Sequence, residues 1–127
     1  MKKKVLLVDD ELDFLYTVKL RLEANDYEVI TATDGKEALR KIKSDKPDAV
    51  LLDVMLPKLD GLETLKRIRK MDKTLPVFMM TAFSDESRFR QAKELGASGF
   101  ILKTSSLAKE IENLTSALKL AEKFRSL

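Results

Sequence analysis

The 127-residue chain contains no cysteine and no histidine. Without cysteine there is no disulfide framework, no thiolate nucleophile and no sulfur-ligated metal. Without histidine, the commonest metal ligand and the commonest general base are gone as well. Any metal must be held by oxygen, and any covalent chemistry must use a carboxylate, a hydroxyl or an amine. Long apolar runs are also missing. The start, MKKKVLLV, has the basic end and apolar run of a secretory signal, but the run stops at Asp9. That is too short for a signal core, and no stretch is long enough to cross a bilayer. A cytoplasmic protein with no membrane partner is expected. Internal repeats, low-complexity segments and interdomain linkers are absent too. The expectation is a single domain over residues 1–127, with no output domain.

What is present suits a globular domain. Hydrophobic residues make up 44% and charged residues 35%, a balance that supports one buried core rather than a disordered chain. The formal charge of +3 is mild. Its densest basic stretch, LKRIRKMDK (65–73), reads as a solvated helix face, so no direct nucleic-acid partner is expected.

Short apolar runs recur at VLLV (5–8), VITA (29–32), AVLLDV (49–54), VFMM (77–80) and GFIL (99–102). None alternates, as expected of strands covered on both faces. Between them lie stripes with helical spacing: Leu15, Val18 and Leu22; Leu62, Leu65 and Ile68; Leu107, Ile111, Leu114, Leu118 and Ala121. Asp34 with Glu37 and Asp60 with Glu63 read as capping boxes. Gly96 stands where a left-handed residue ends a helix. Pro47 and Pro76 each precede a strand, where they stop a helix without breaking a ladder. The pattern is (βα)₅. It predicts an α/β fold built on a doubly wound, five-stranded parallel sheet with helices on both faces.

In such open sheets, ligands bind beyond the carboxyl ends of the strands, where strand order reverses. Those ends carry Asp9 and Asp10, Asp53, Thr81 and Lys103. If the order is 2-1-3-4-5, the first and third strands are neighbours roughly 5 Å apart. Asp9, Asp10 and Asp53 then form one acidic cluster. Adjacent like charges are unfavourable unless a positive charge sits between them. An all-oxygen cluster suits a hard divalent cation, and Mg²⁺ is the expected occupant.

The ordered set VLLVDDE (5–11), LLDVMLPKLDGLE (51–63), MMTA (79–82) and GASGFILK (96–103) resembles the receiver domain of two-component response regulators over essentially the whole chain. The resemblance implies a flavodoxin-like, CheY-like fold of strand order 2-1-3-4-5. It implies Asp53 as the phosphoryl acceptor, with Asp9, Asp10, Asp53 and the backbone carbonyl of Met55 around Mg²⁺. Thr81 and Lys103 match the hydroxyl and ammonium that bind phosphoryl oxygens, and Phe100 matches the switch aromatic. The implied donor is a sensor histidine kinase or phosphotransfer protein. The implied output is an effector protein, or a phosphorylation-dependent homodimer, on the surface of the fourth helix, last strand and last helix. Such a protein is a signalling phosphoacceptor with slow autodephosphorylation, not a turnover enzyme.

Each residue also has a plainer reading. Asp10 or Glu11 alone is a helix cap, Thr81 a β-branched strand residue, Lys103 a surface lysine and Phe100 core. Capping accounts for one acid of the pair and not for two. A metal-dependent phosphatase with an aspartyl nucleophile would want a second acid two residues on as general acid. Asp53 has Met55 there, and Asp9, with Glu11 there, lacks the rest of the set. A receiver-like binding module without phosphorylation is opposed by the intact five-residue set. The sequence departs from the family at one point: Lys103 is followed by Thr104, where the family usually has a cis-joined proline. A cis bond before a non-proline residue costs about 2.5–4 kcal/mol. A trans Thr104 with a rearranged loop and a tolerated strain are the two alternatives.

Overall fold

Among the described residues, five strands and five helices alternate as the apolar runs and stripes predict. The computed structural model describes residues 2–81, 86–103 and 107–125, apart from the side chains of 107, 108, 110, 111, 124 and 125. In order, the elements are β1 (Lys3–Val8), α1 (Leu12–Ala24), β2 (Tyr27–Ala32), α2 (Gly35–Asp45) and β3 (Ala49–Asp53). They continue with α3 (Gly61–Met71), β4 (Val77–Thr81), α4 (Glu86–Glu94), β5 (Gly99–Leu102) and α5 (Leu107–Arg125). The strands form one parallel sheet in the order β2-β1-β3-β4-β5. Strand order reverses between β1 and β3.

Coverage on both faces holds at the centre of the sheet and weakens at its edges. β3 is buried throughout, and so are Val5–Val8 of β1 and Val77–Met80 of β4. In β2, Glu28 is exposed and Ile30 and Thr31 half-buried; in β5 only Ile101 is buried. An edge strand has a neighbour on one side only, so less of it lies beneath the helices. Successive side chains go to opposite faces. Val5, Leu7, Leu51 and Met80 meet Leu15, Val18 and Leu22 of α1 and Leu114, Leu118 and Ala121 of α5. Leu6, Val8, Val50, Leu52 and Met79 meet Ala38 and Ile42 of α2, Leu65 and Ile68 of α3 and Ala92 of α4. Leu107 and Ile111, expected in the α5 stripe, lie outside the described side chains.

The helix ends follow the sequence signals with two differences. Asp34 caps α2 by accepting from the Glu37 N–H at 2.8 Å, but Glu37 reaches back to the Thr33 N–H, one residue beyond the cap. Asp60 caps α3 by accepting from the Glu63 N–H at 2.9 Å. At α1 the N-cap is Glu11, and its side chain makes no capping bond. Gly96 takes φ +92°, the left-handed turn that carries α4 into β5. Lys66, Arg67, Lys70 and Lys73 are exposed, so the basic stretch is a solvated face; Arg69 instead turns in to the Gly96 carbonyl at 2.9 Å. Among the described residues, no helix is long and apolar enough to cross a membrane.

Core packing and capping can be separated by experiment. Leu52→Ala, at a fully buried position in the central strand, is expected to cost about 2–5 kcal/mol. Asp34→Ala is expected to cost about 0.5–2 kcal/mol. Urea unfolding at constant m-value measures both, and the reverse ranking would contradict this packing.

Candidate functional site

β1 and β3, the strands at the reversal, each run buried apolar residues straight into an acid. Asp9 follows Val8 and is fully buried; Asp53 closes β3 and is 5% exposed. The ladder continues past both, because the Asp9 N–H donates to the Ala32 carbonyl at 3.1 Å and the Val54 N–H to the Met80 carbonyl at 2.9 Å. Each carboxylate then turns the chain. Asp9 Oδ1 accepts from the Glu11 N–H at 2.9 Å, and Asp53 Oδ1 from the Met55 N–H at 3.1 Å. These are Asx turns, in which a short side chain binds the backbone two residues on.

The other oxygen of each carboxylate faces Lys103. Its Nζ lies 2.5 Å from Asp9 Oδ2, 3.3 Å from Asp53 Oδ2 and 3.1 Å from Glu11 Oε1. Lys103 directly follows β5, and its N–H donates to the Thr81 carbonyl at 2.7 Å. Thr81 ends β4, one residue beyond Met80, the strand partner of Asp53. Four strand ends thus bring Asp9, Asp53, Thr81 and Lys103 to one edge. Asp10 joins them: it is exposed, and Asp9, Asp10 and Asp53 each place an oxygen within 4.8 Å of the others. The Lys103–Thr104 peptide lies outside the described residues.

The balancing charge expected from a metal is thus supplied in part by the protein itself. It is not enough. Asp9, Asp53 and Glu11 share one ammonium, and Asp10 adds a further carboxylate beside Asp9 and Asp53. Asp9 Oδ2 is close to Nζ but finds no aligned hydrogen-bond donor although it is fully buried. Burial, then the charge of Asp9, pushes the Asp53 carboxyl up to about 6, against the Met55 N–H and Lys103. Burial also raises Asp9, against the hold of Lys103 and the Glu11 N–H. Burial opposes the charge on Lys103, but its contact with Asp9 and the charges of Asp9 and Asp53 outweigh that and hold the ammonium above its usual range. A buried oxygen without an aligned donor, inside an all-oxygen, net-negative cluster, fits a hard divalent cation.

The structure adds residues with little or no signal in the sequence. Glu11 is a partner of Lys103 rather than a helix cap. The Phe14 ring lies 4.4 Å from Lys103 Nζ. Arg88 of α4 contacts the sulfur of Met55, whose side chain is about half exposed. Gly61 starts α3 against the acid-bearing loop. A Cβ there would stand 2.3 Å from the Asp53 carbonyl oxygen and 2.7 Å from Val54 Cα, so any other residue would push the loop away. Phe100 is half-buried and stacks on Phe89, with ring centroids 4.0 Å apart.

A carboxylate cluster and a lysine at the switch point of a (βα)₅ sheet define an α/β domain whose ligand site lies at its strand ends. Residues 5–118 match the family model of the response regulator receiver domain, and the chain belongs to that family. It is the receiver domain of a two-component response regulator, a signalling domain rather than a turnover enzyme. Over 103 residues it is 46% identical to the alkaline phosphatase synthesis transcriptional regulatory protein PhoP of Bacillus subtilis, a match covering 81% of this chain and 43% of that protein. Over 111 residues it is 43% identical to the probable transcriptional regulator ycf27 of Guillardia theta, covering 87% and 43%. The chain therefore spans less than half the length of these relatives. Among solved structures, it is similar to the CheY-like receiver domain protein of Methanospirillum hungatei (TM-score 0.87, 28% identity, 97% of this chain and 98% of that one). It is also similar to chemotaxis protein CheY4 of Vibrio cholerae (TM-score 0.86, 32% identity, 95% and 99%).

The raised acid has a consequence for stability. Asp53 binds its proton more tightly in the folded chain than in the unfolded one, so its contribution to stability falls as pH rises from about 4 to 6. In metal-free buffer, Asp53→Asn should gain on the wild type across that interval and end more stable above it, by on the order of 2 kcal/mol. Denaturant unfolding from pH 4 to 7.5 measures this. A difference between the two proteins that does not change with pH would contradict it.

Proposed function

We propose that residues 1–127 act as one phosphoacceptor unit, in which Asp53 receives a phosphoryl group from a sensor histidine kinase or phosphotransfer protein in a Mg²⁺-dependent reaction. One observation carries the reading: Asp53 is buried at the switch point, with Lys103 on one oxygen and Asp9 and Asp10 beside it. Asp9, Asp10, Asp53 and the Met55 carbonyl are the groups to hold the ion, which supplies the positive charge that a carboxylate needs when it meets a phosphoryl group. An Asp53 oxygen bonds to phosphorus as the phosphorus–nitrogen bond of the donor's phosphohistidine breaks and the imidazole leaves. The Lys103 ammonium and the Thr81 hydroxyl take the phosphoryl oxygens, so the charge that accumulates during transfer is met by groups already in place. The acyl phosphate sits at a largely buried position, which favours slow autodephosphorylation.

Phosphorylation then biases a two-state surface. The Thr81 hydroxyl gains a strong new acceptor, and its movement vacates space behind β4. Phe100, on the neighbouring strand, is of the size to fill that space by leaving its stack on Phe89. The surface of α4, β5 and α5 would change as a result. Phe89, Leu102 and Leu120 are about half exposed there, apolar area for an effector or a second copy of the chain. The relatives named as transcriptional regulators support gene expression as the output. The ligand shifts this equilibrium only by its differential affinity for the two states, so the Thr81 contact must carry part of the bias.

Incubation with acetyl phosphate and Mg²⁺, followed by intact-mass measurement, tests the acceptor. One phosphoryl group is expected on the wild type and none on Asp53→Asn, with Asp10→Ala labelled at least about tenfold more slowly through loss of metal charge. Equal labelling of wild type and Asp53→Asn would sink the assignment.

The switch has its own test. Thr81→Ala should still accept phosphate on Asp53 but respond less, read as amide chemical-shift changes over residues 85–110 on adding beryllofluoride with Mg²⁺. Shifts as large as those of the wild type would leave Phe100 as ordinary core.

A further inference from the structure

The Lys103 ammonium has a fourth neighbour beside its three carboxylates. The Phe14 ring centroid lies 4.4 Å from Nζ, well inside the ~6 Å over which a ring face attracts a cation. Phe14 is the third residue of α1 and packs half-buried against the core between the sheet, α1 and α5. The Lys103 side chain is only 11% exposed, so little water screens the contact.

The carboxylates alone hold this ammonium poorly once the site is in use. Asp9 and Asp53 are also the groups that face the metal and the phosphoryl group, so their pull on Lys103 must be shared when those are bound. Glu11 is 67% exposed, and solvent weakens an ion pair of that kind. The lysine stem is long and flexible, and a point charge at its end is not confined to one place. The Phe14 ring has no other partner among the site's ligands, offers no atom to a metal or a phosphate, and is anchored by core packing. Among the described residues, it is the neighbour whose hold on Lys103 does not change with the state of the acids.

We propose that Phe14 is a positioning residue for Lys103: its ring face keeps the ammonium beside Asp53, where it meets the phosphoryl oxygens. The proposal rests on reading Asp53 as the acceptor. It separates Phe14 from an ordinary core aromatic, which would serve as well if replaced by any apolar side chain of similar bulk.

The test compares Phe14→Leu, which keeps apolar bulk and loses the ring, with Phe14→Tyr, which keeps the ring. In metal-free protein the Lys103 ε-methylene protons should be shifted upfield by the ring in the wild type and in Phe14→Tyr, and should return to ordinary values in Phe14→Leu. With acetyl phosphate and Mg²⁺, the rate of Asp53 labelling should fall about three- to tenfold in Phe14→Leu, the size of one cation–π contact, and stay near wild type in Phe14→Tyr. In a Lys103→Ala background, Phe14→Leu should cause no further fall, because the interaction it removes is already gone. Ordinary methylene shifts in the wild type, a Phe14→Leu protein that labels at the wild-type rate, or the same fall in the Lys103→Ala background would each overturn the proposal. If Phe14→Leu does not fold, Phe14→Met takes its place with the same expectations. A wild type that takes no phosphoryl group at all overturns the acceptor reading instead, while the methylene shifts still decide whether the ring holds the lysine.

Discussion

Lys103 brings one ammonium to two buried carboxylates, Asp9 and Asp53, and most of what is distinctive in this domain depends on that contact. An unpaired charge so placed would be very costly. Asp9 and Asp53 each give one oxygen to a backbone N–H two residues on and turn the other towards the lysine. The arrangement tolerates the acids without neutralising them. A net-negative, partly dehydrated pocket is unstable as it stands, and it is therefore suited to a cation. The two packed faces at the centre of the sheet offset the cost.

The sheet supplies the geometry. Parallel strands present all their carboxyl ends at one edge, and the reversal between β1 and β3 opens a crevice there. β4 and β5 then bring Thr81 and Lys103 beside it in register, fixed by one backbone bond between them. The start of α3 must lie against the Asp53 loop, which Gly61 permits by having no side chain. α4 approaches from the same side, with Arg88 against Met55 and Phe89 stacked on Phe100. The Asp53 loop meets α4 through Met55 and Arg88, and α4 meets β5 through Phe89 and Phe100.

The fold and much of the candidate site are legible in the sequence, for reasons that differ by element. Strands covered on both faces must be uniformly apolar, so VLLV and AVLLD could be read directly; the edge strands read the same way but are less covered, because neighbours along a sheet leave no mark in a run of sequence. Local bonds were also legible: Asp34 and Asp60 cap helices through the backbone three residues on. The plain helix-cap reading of Glu11 does not hold, since its side chain makes no capping bond and meets Lys103 instead. Phe14 carried no signal at all. Its partner is Lys103, at the other end of the chain, and its spacing within α1 is that of any residue packed on the core.

The (βα)₅ alternation, the oxygen-only chemistry and the acids, hydroxyl and amine that end the strands follow from residue type and from spacing within a few positions. How those groups share their charges depends on packing between elements far apart in the chain. Lys103 is placed between Asp9 and Asp53 by sheet register, and the Phe14 ring is brought to it by the packing of α1 on that sheet. Distances of a few ångströms between residues far apart in sequence are set by the whole core, and no local pattern encodes them.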